Sequence, residues 1–236
     1  MVQTRSKKSL KNIVFVFGGY FINLLLQLIN RLLFVNYLSQ EYLGINGLFS
    51  NILSMLALSE LGIGAAIIYA LYEPIAKKDI EKVKSLMLLY KKMYTAIGCF
   101  ILVVGIAITP FVDFFIKEKL DIPYLKFYFL LYVLNSGISY FYTYKRSIII
   151  CNQEEYISTI TTTLASFFTK GAQIAVLVLT RNFTLFLVIQ ILFTRLENIV
   201  ISKIADKKFP YLKDNYIRPL SNDEKKKIKN NVFAMM

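Results

Sequence analysis

Histidine and tryptophan are absent from this chain of 236 residues. Without histidine it lacks the commonest general base and metal ligand. Without tryptophan, an aromatic belt at a membrane interface falls to the tyrosines, of which there are 16. There are only two cysteines, Cys99 in an apolar run and Cys151 in a polar connection. Their placement fits neither a metal site nor a disulfide framework. No G-x-x-x-x-G-K-[ST], H-E-x-x-H or G-x-S-x-G occurs, and no acids pair in an exposed loop. These absences remove the usual nucleotide, metalloprotease and hydrolase signatures. Neither a cofactor nor an enzymatic activity is expected. A basic and aromatic nucleic-acid module is missing as well, so no nucleic-acid partner is expected.

Charge is sparse and lopsided. Charged residues make up 18% of the chain, yet the net charge is +13, while 56% is hydrophobic and the mean hydropathy is +0.52. These values agree when apolar residues sit in lipid and charges cluster at the ends of spans. The apolar run after Lys11 is too long for a signal-peptide core and lacks a small-residue cleavage site, so it is expected to remain as a span. The hydrophobic pattern predicts an all-α integral membrane protein with six spans, at about 12–38, 43–70, 85–116, 123–147, 157–180 and 183–204. The connections SQEY, KEKLD and RN are short.

Lysine and arginine set the orientation. Twenty-one lie in the N-terminal segment, the connections after spans two and four, and the tail. Four lie on the other side, and Arg31, Lys170 and Arg195 fall within spans. The positive-inside rule then places both termini in the cytoplasm. Residues 205–231 read as a basic, amphipathic elbow lying on the inner membrane surface. Residues 232–236 turn apolar again and read as the start of a truncated seventh span.

The spans are not oily all round. In LGINGLFSNILSMLALSELGIGAAIIYA, residues 43–70, a stripe of Gly44, Gly47, Asn51, Ser54, Leu58, Gly62 and Ala65 recurs at steps of three and four. Span one carries Gly19, Asn23, Gln27 and Asn30 beside Arg31; span four carries Tyr128, Tyr132, Asn135, Ser136, Ser139, Thr143 and Arg146. Span five carries Thr159, Thr162, Thr163, Ser166, Lys170 and Gln173; span six carries Gln190, Thr194, Glu197, Asn198 and Ser202. Span three has almost nothing equivalent over residues 96–108, which makes it the expected lipid-facing helix. Any one hydroxyl is explained by helix packing. The set as a whole favours a shared hydrated cavity.

Ionisable residues are costly in a span and need a partner or water. Lys170 and Arg195 lie near mid-membrane, with Glu197 close in depth. Two readings stand for them: an ion pair of Glu197 with Lys170 or Arg195, or cations facing a cavity that holds an anionic headgroup. Arg31 either snorkels to the interface or faces inward with Asn23, Gln27 and Asn30. Glu60, just before Leu61-Gly62-Ile63-Gly64, is an ion-coupling site, a salt-bridge partner or a helix–helix hydrogen bond. Gly62 and Gly64 permit close approach or bending.

From Tyr42-Leu43-Gly44 through Leu71-Tyr72-Glu73-Pro74, and again at Lys91-Lys92-Met93-Tyr94, the chain resembles bacterial polysaccharide flippases. These are the O-antigen and capsule repeat-unit (Wzx-type) transporters of the multidrug/oligosaccharidyl-lipid/polysaccharide exporter superfamily. The resemblance covers nearly the whole chain. It implies the N-terminal lobe of a two-lobed, MATE-like transporter in the bacterial cytoplasmic membrane. The implied cargo is an undecaprenyl-diphosphate-linked oligosaccharide, and the implied partners are the bilayer, a missing C-terminal lobe and polysaccharide assembly proteins. Relatives bind diphosphate through cavity arginines, so Arg31 is the matching position by analogy, followed by Lys170 and Arg195. Asn23, Gln27, Asn30 and Asn51 complete the expected cavity, with Glu60 and Glu197 as ion-coupling or salt-bridge acids. The alternatives are a cation-coupled multidrug exporter of the same fold, a membrane enzyme of polysaccharide assembly, and a non-transporting membrane scaffold.

Overall fold

The computed structural model describes residues 5–60, 62–116, 122–213 and 218–221, and residues 224, 226, 228 and 230. Its helices are α1 (Arg5–Tyr37), α2 (Gln40–Ala57), α3 (Ile63–Lys77), α4 (Ile80–Ile108), α5 (Leu125–Cys151), α6 (Glu155–Thr180) and α7 (Phe183–Lys208). Short 3₁₀ turns cover Leu58–Glu60, Thr109–Phe115 and Pro210–Lys213. The protein is all-α, with no strand among the described residues. The stretches Leu10–Tyr37, Ile80–Phe115, Glu155–Thr180 and Phe183–Lys208 are long and apolar enough to cross a bilayer. Phe17, Tyr20, Leu32 and Phe114 stand exposed on the outside of the bundle, as lipid-facing side chains do.

The expected spans at 43–70 and 123–147 do not meet the same apolar measure. α5 dilutes its hydrophobic residues with Tyr, Ser and Asn. The stretch 43–70 is not one helix: it breaks between Ala57 and Ile63, where Gly62 adopts φ 78°. Only glycine takes that left-handed conformation without steric cost. α2 also presents the reverse of the expected face. Ile45, Phe49, Ile52 and Leu53 point into the bundle, whereas Gly44, Asn51, Ser54 and Leu58 are exposed. The small stripe is therefore not a packing surface within this chain, because the bulky apolar set shares the opposite face.

α4 packs along α5 through close backbone approaches. A Cβ at Gly105 would lie 2.5 Å from Val133, and one at Gly137 would lie 2.5 Å from Leu102. The helix expected to face lipid thus buries Ile97, Gly98, Ile101 and Gly105. Its other face, with Phe100, Val103 and Ile106, is exposed as expected, so its lack of polar residues serves both lipid exposure and glycine-mediated contact. The peripheral helix is α1. It runs parallel to α6 and is tied to it and to the turn before it by three asparagines. Asn12 accepts from the Tyr156 N–H at 3.0 Å and donates to the Gln153 carbonyl at 3.1 Å; Asn23 donates to Thr163 Oγ1 at 3.2 Å; Asn30 donates to Gln173 Oε1 at 3.1 Å.

Two hydrophobic cores sit one above the other along the bundle. One joins Phe34, Ile45, Phe49, Ile101, Phe129, Leu177, Phe183 and Phe186 around the α1–α2 and α6–α7 turns. The other joins Ala66, Ile67, Leu71, Leu86, Tyr90, Ile148, Ile149 and Ile201 around the α3–α4 and α5–α6 turns. Phe209 and Ile228 are buried in the second core, with Tyr211, Leu212 and Leu220 packed against it. Within the segment 205–231, then, residues 205–208 complete α7 and these apolar side chains turn toward protein, not lipid. The expected seventh span, 232–236, lies outside the described residues.

The tail is pinned at Glu224. Its carboxylate accepts the Ser221 N–H at 2.9 Å, while Ser221 Oγ accepts the Glu224 N–H at 3.2 Å, a reciprocal capping box. Lys82 and Arg218 approach the same carboxylate at 3.5 and 3.6 Å. The Ser221 N–H first, then the two cations, hold Glu224 below the ordinary carboxylate value. A lowered value in the folded state means the contribution is present above the unfolded value and is lost as pH falls through the folded one. Hydrogen exchange at Ile228 should therefore accelerate as pH is lowered beneath about 4.5, after correction for intrinsic rates. Glu224→Gln should flatten that dependence; an unchanged profile in the variant would show that this carboxylate does not control docking of the tail.

Candidate functional site

A cavity of about 600 Å³ opens in the half of the bundle that holds the α1–α2 and α6–α7 turns. α1 contributes Gln27, Asn30, Arg31 and Phe34, and α2 contributes Leu43, Asn46, Gly47, Ser50 and Leu53. α5 lines the opposite wall with Leu131, Tyr132, Asn135, Ser136 and Ser139. Lys170 enters from α6, and Phe186, Leu187, Gln190 and Ile191 from α7. Five carboxamides, three serines and two cations thus meet on one surface, and no Asp or Glu among the described residues lines it. Carboxamides donate and accept, so such a wall suits polyhydroxylated ligands, and the cations suit an anionic group.

Local sequence explains how each wall forms. On α1, Gln27, Asn30, Arg31 and Phe34 share one face at helical spacing. Phe34 and Phe186 close one end of the cavity through edge-on packing, with ring centroids 5.2 Å apart. Tyr42, Tyr128 and Phe183 extend this aromatic cluster, with Tyr128 and Phe183 4.9 Å apart. On α5, the hydroxyl of Tyr132 donates to Asn46 Oδ1 and fixes the wall to α2. Lys170 Nζ donates to Gln173 Oε1 at 3.2 Å.

Of the expected site residues, Gln27, Asn30, Arg31 and Lys170 come together in the cavity. Asn23 does not line it: its amide is spent on the Gly19 carbonyl at 2.9 Å and on Thr163 in the α1–α6 seam. Asn51 is exposed and lies outside the lining, one position past Ser50, which belongs to it. Arg195 is exposed and also lies outside the cavity. Its rotation about α7 carries it away from Gln190 and Ile191, although its depth suggested otherwise.

Glu197 pairs with neither Lys170 nor Arg195. Arg146 Nη2 holds its carboxylate at 2.5 Å, and Thr162 Oγ1 donates to it at 2.8 Å. Arg146 also donates to Thr162, at 3.2 Å. This triad ties α5, α6 and α7 together below the cavity. Sequence depth had set Arg146 among the charges of the cytoplasmic connection, but α5 continues to Cys151 and keeps it within the helix. Glu60, in the break between α2 and α3, forms no ion pair among the described residues. It accepts a hydrogen bond from Tyr94, which accepts from Tyr90 at 3.3 Å, which accepts from Ser147 at 3.2 Å. Gly64 lies against this chain, and a Cβ there would fall 2.9 Å from the Tyr94 oxygen. Of the three roles open to Glu60, the geometry supports the interhelical hydrogen bond.

The cavity residues absent from the expected set are instructive. Tyr132, Asn135, Ser136 and Ser139 stood on a recognisable stripe of α5, as did Gln190 on α7. Asn46 and Ser50 stood off the α2 stripe and carried no such signal.

The Arg146–Glu197 pair is only partly exposed, at 26% and 19%. Removing one partner strands the other, so Arg146→Met or Glu197→Met should each destabilise by about 1–3 kcal/mol, discounted for residual solvent access. The double variant should recover much of that loss. Thermal midpoints in detergent or nanodiscs check this; strictly additive losses would contradict a direct pair.

Compared with family models, curated proteins and solved structures, the chain matches none.

Proposed function

We propose that this chain carries lipid-linked oligosaccharide, as undecaprenyl-diphosphate repeat units, across the bacterial cytoplasmic membrane for surface polysaccharide synthesis. The observation that carries the reading is a cavity walled by carboxamides and serines, in which Arg31 and Lys170 are the only charged side chains among the described residues. The cations would take the diphosphate, and the amides and hydroxyls would take sugar hydroxyls in exchange for water. The lipid tail would stay in the bilayer beside the exposed apolar faces. The chain would act as one six-span lobe, rocking against a second lobe to alternate access. Both termini would lie in the cytoplasm, since the basic ends cluster on that side.

Coupling to an ion gradient would fall to Glu60, which meets tyrosine hydroxyls rather than a cation. A multidrug exporter of the same fold is the weaker reading. Carriers of cationic compounds need acids where the compound binds, and no acid among the described residues lines this cavity.

In cells whose surface polysaccharide depends on this protein, Arg31→Gln with Lys170→Met should reduce export at least tenfold at unchanged protein abundance, about 1.4 kcal/mol or more of lost recognition. Arg195→Gln, outside the cavity, should leave export intact. Wild-type export by the double variant would remove the cationic cavity as the basis of function.

A further inference from the structure

Gln173 is fully buried and is not among the residues lining the cavity, yet its carboxamide touches four residues that are. Its Nε2 donates to the Phe186 carbonyl at 3.3 Å and to Gln190 Oε1 at 2.9 Å. Its Oε1 accepts from Asn30 Nδ2 at 3.1 Å and from Lys170 Nζ at 3.2 Å. All four hydrogen-bonding positions of the amide are filled.

The orientation of this amide follows from chemistry. A backbone carbonyl only accepts, so the side of Gln173 facing Phe186 must be the NH₂. Its oxygen must then face Asn30 and Lys170. Asn30 in turn has to present its NH₂, which leaves Asn30 Oδ1 buried with no donor. Turning Asn30 around would not satisfy that oxygen: it would set it against Gln173 Oε1, two acceptors facing each other. The arrangement therefore keeps an unsatisfied acceptor while holding the ammonium of Lys170 against a neutral oxygen. A carboxylate in that position would neutralise the lysine; an apolar side chain would leave it unaimed.

We infer that Gln173 is the positioning residue of the cavity: one neutral carboxamide joins α1, α6 and α7 and presents Lys170 as a free positive charge to an anionic ligand. The inference rests on the cavity being an anion site, as proposed above.

The test uses the whole chain in nanodiscs with inorganic diphosphate as the probe and calorimetry as the readout. Lys170→Met should weaken binding at least tenfold. Gln173→Met should weaken it roughly three- to tenfold, and Gln173→Glu more, because the carboxylate cancels the charge. In a double-mutant cycle, Gln173→Met introduced beside Lys170→Met should change binding less than twofold, whereas a purely structural role would add its loss in full. Gln173→Asn replaces Gln173→Met in the same cycle if the latter does not fold. If Lys170→Met weakens binding while the Gln173 variants bind as wild type, or if the losses add, the positioning role is overturned and the anion site stands. If the wild-type chain fails to bind diphosphate, or Lys170→Met binds it unchanged, the anion site itself falls.

Discussion

The polar seam between α1 and α6 is the constraint on which the cavity depends. α1 lies at the edge of the bundle, and most of its large side chains are exposed. What holds it is a ladder of amides and hydroxyls: Asn12 at the α5–α6 turn, Asn23 at Thr163, Asn30 at Gln173. Interhelical hydrogen bonds in lipid are worth only about 0.6 kcal/mol each on average. Their value here is register as much as energy. Lipid offers the same groups no water, so a slip along the seam would leave several unsatisfied at once. That register sets Arg31 and Gln27 on the cavity wall.

A second economy is visible in how charge is handled. Lys145 meets Asp206 at 2.7 Å, Lys208 meets Glu154 at 2.9 Å, and Arg146 meets Glu197. These neutral pairs gather in the half of the bundle opposite the cavity. In the cavity half, Lys170 is given an amide instead of an acid, and Arg31 forms no ion pair among the described residues. The contrast is local, not one of overall charge: in the cavity half Lys126 still pairs with Asp113 at 3.0 Å, but the two cations on the cavity wall are given no acid among the described residues. A charge left over in low dielectric raises the energy of the empty site, which an anion would relieve.

Much of this was legible in the residues, and the failures have physical causes. Helical rods and polar stripes followed from apolar run length and three/four spacing, and the glycines at 62 and 64 marked the break. The α1 face of Gln27, Asn30 and Arg31 was also readable. Depth along a helix is a sequence property, but rotation about its axis is set by neighbours. That is why Lys170 and Arg195, similar in depth, part company, and why Glu197 finds Arg146. The outward face of α4 was legible, but its packing face was hidden for a different reason. A helix packed through Gly98 and Gly105 looks as apolar as one facing lipid, because close backbone approach leaves no polar mark in the sequence. The reversed face of α2 was similarly ambiguous, since a small stripe and a bulky stripe can each be the buried one.

The stacked pair of cores has a consequence for how the molecule yields. α2 belongs to the first and α3 to the second, with Gly62 and the tyrosine-bound Glu60 at the junction. The two buried clusters touch only through partly buried side chains at the waist, Ile63 and Tyr140, which pack against both. α4, α5 and α7 run through both interiors, whereas α2 and α3 each serve mainly one. A bundle assembled this way has a natural place to flex at the break between α2 and α3, which lies between its interiors, not inside either.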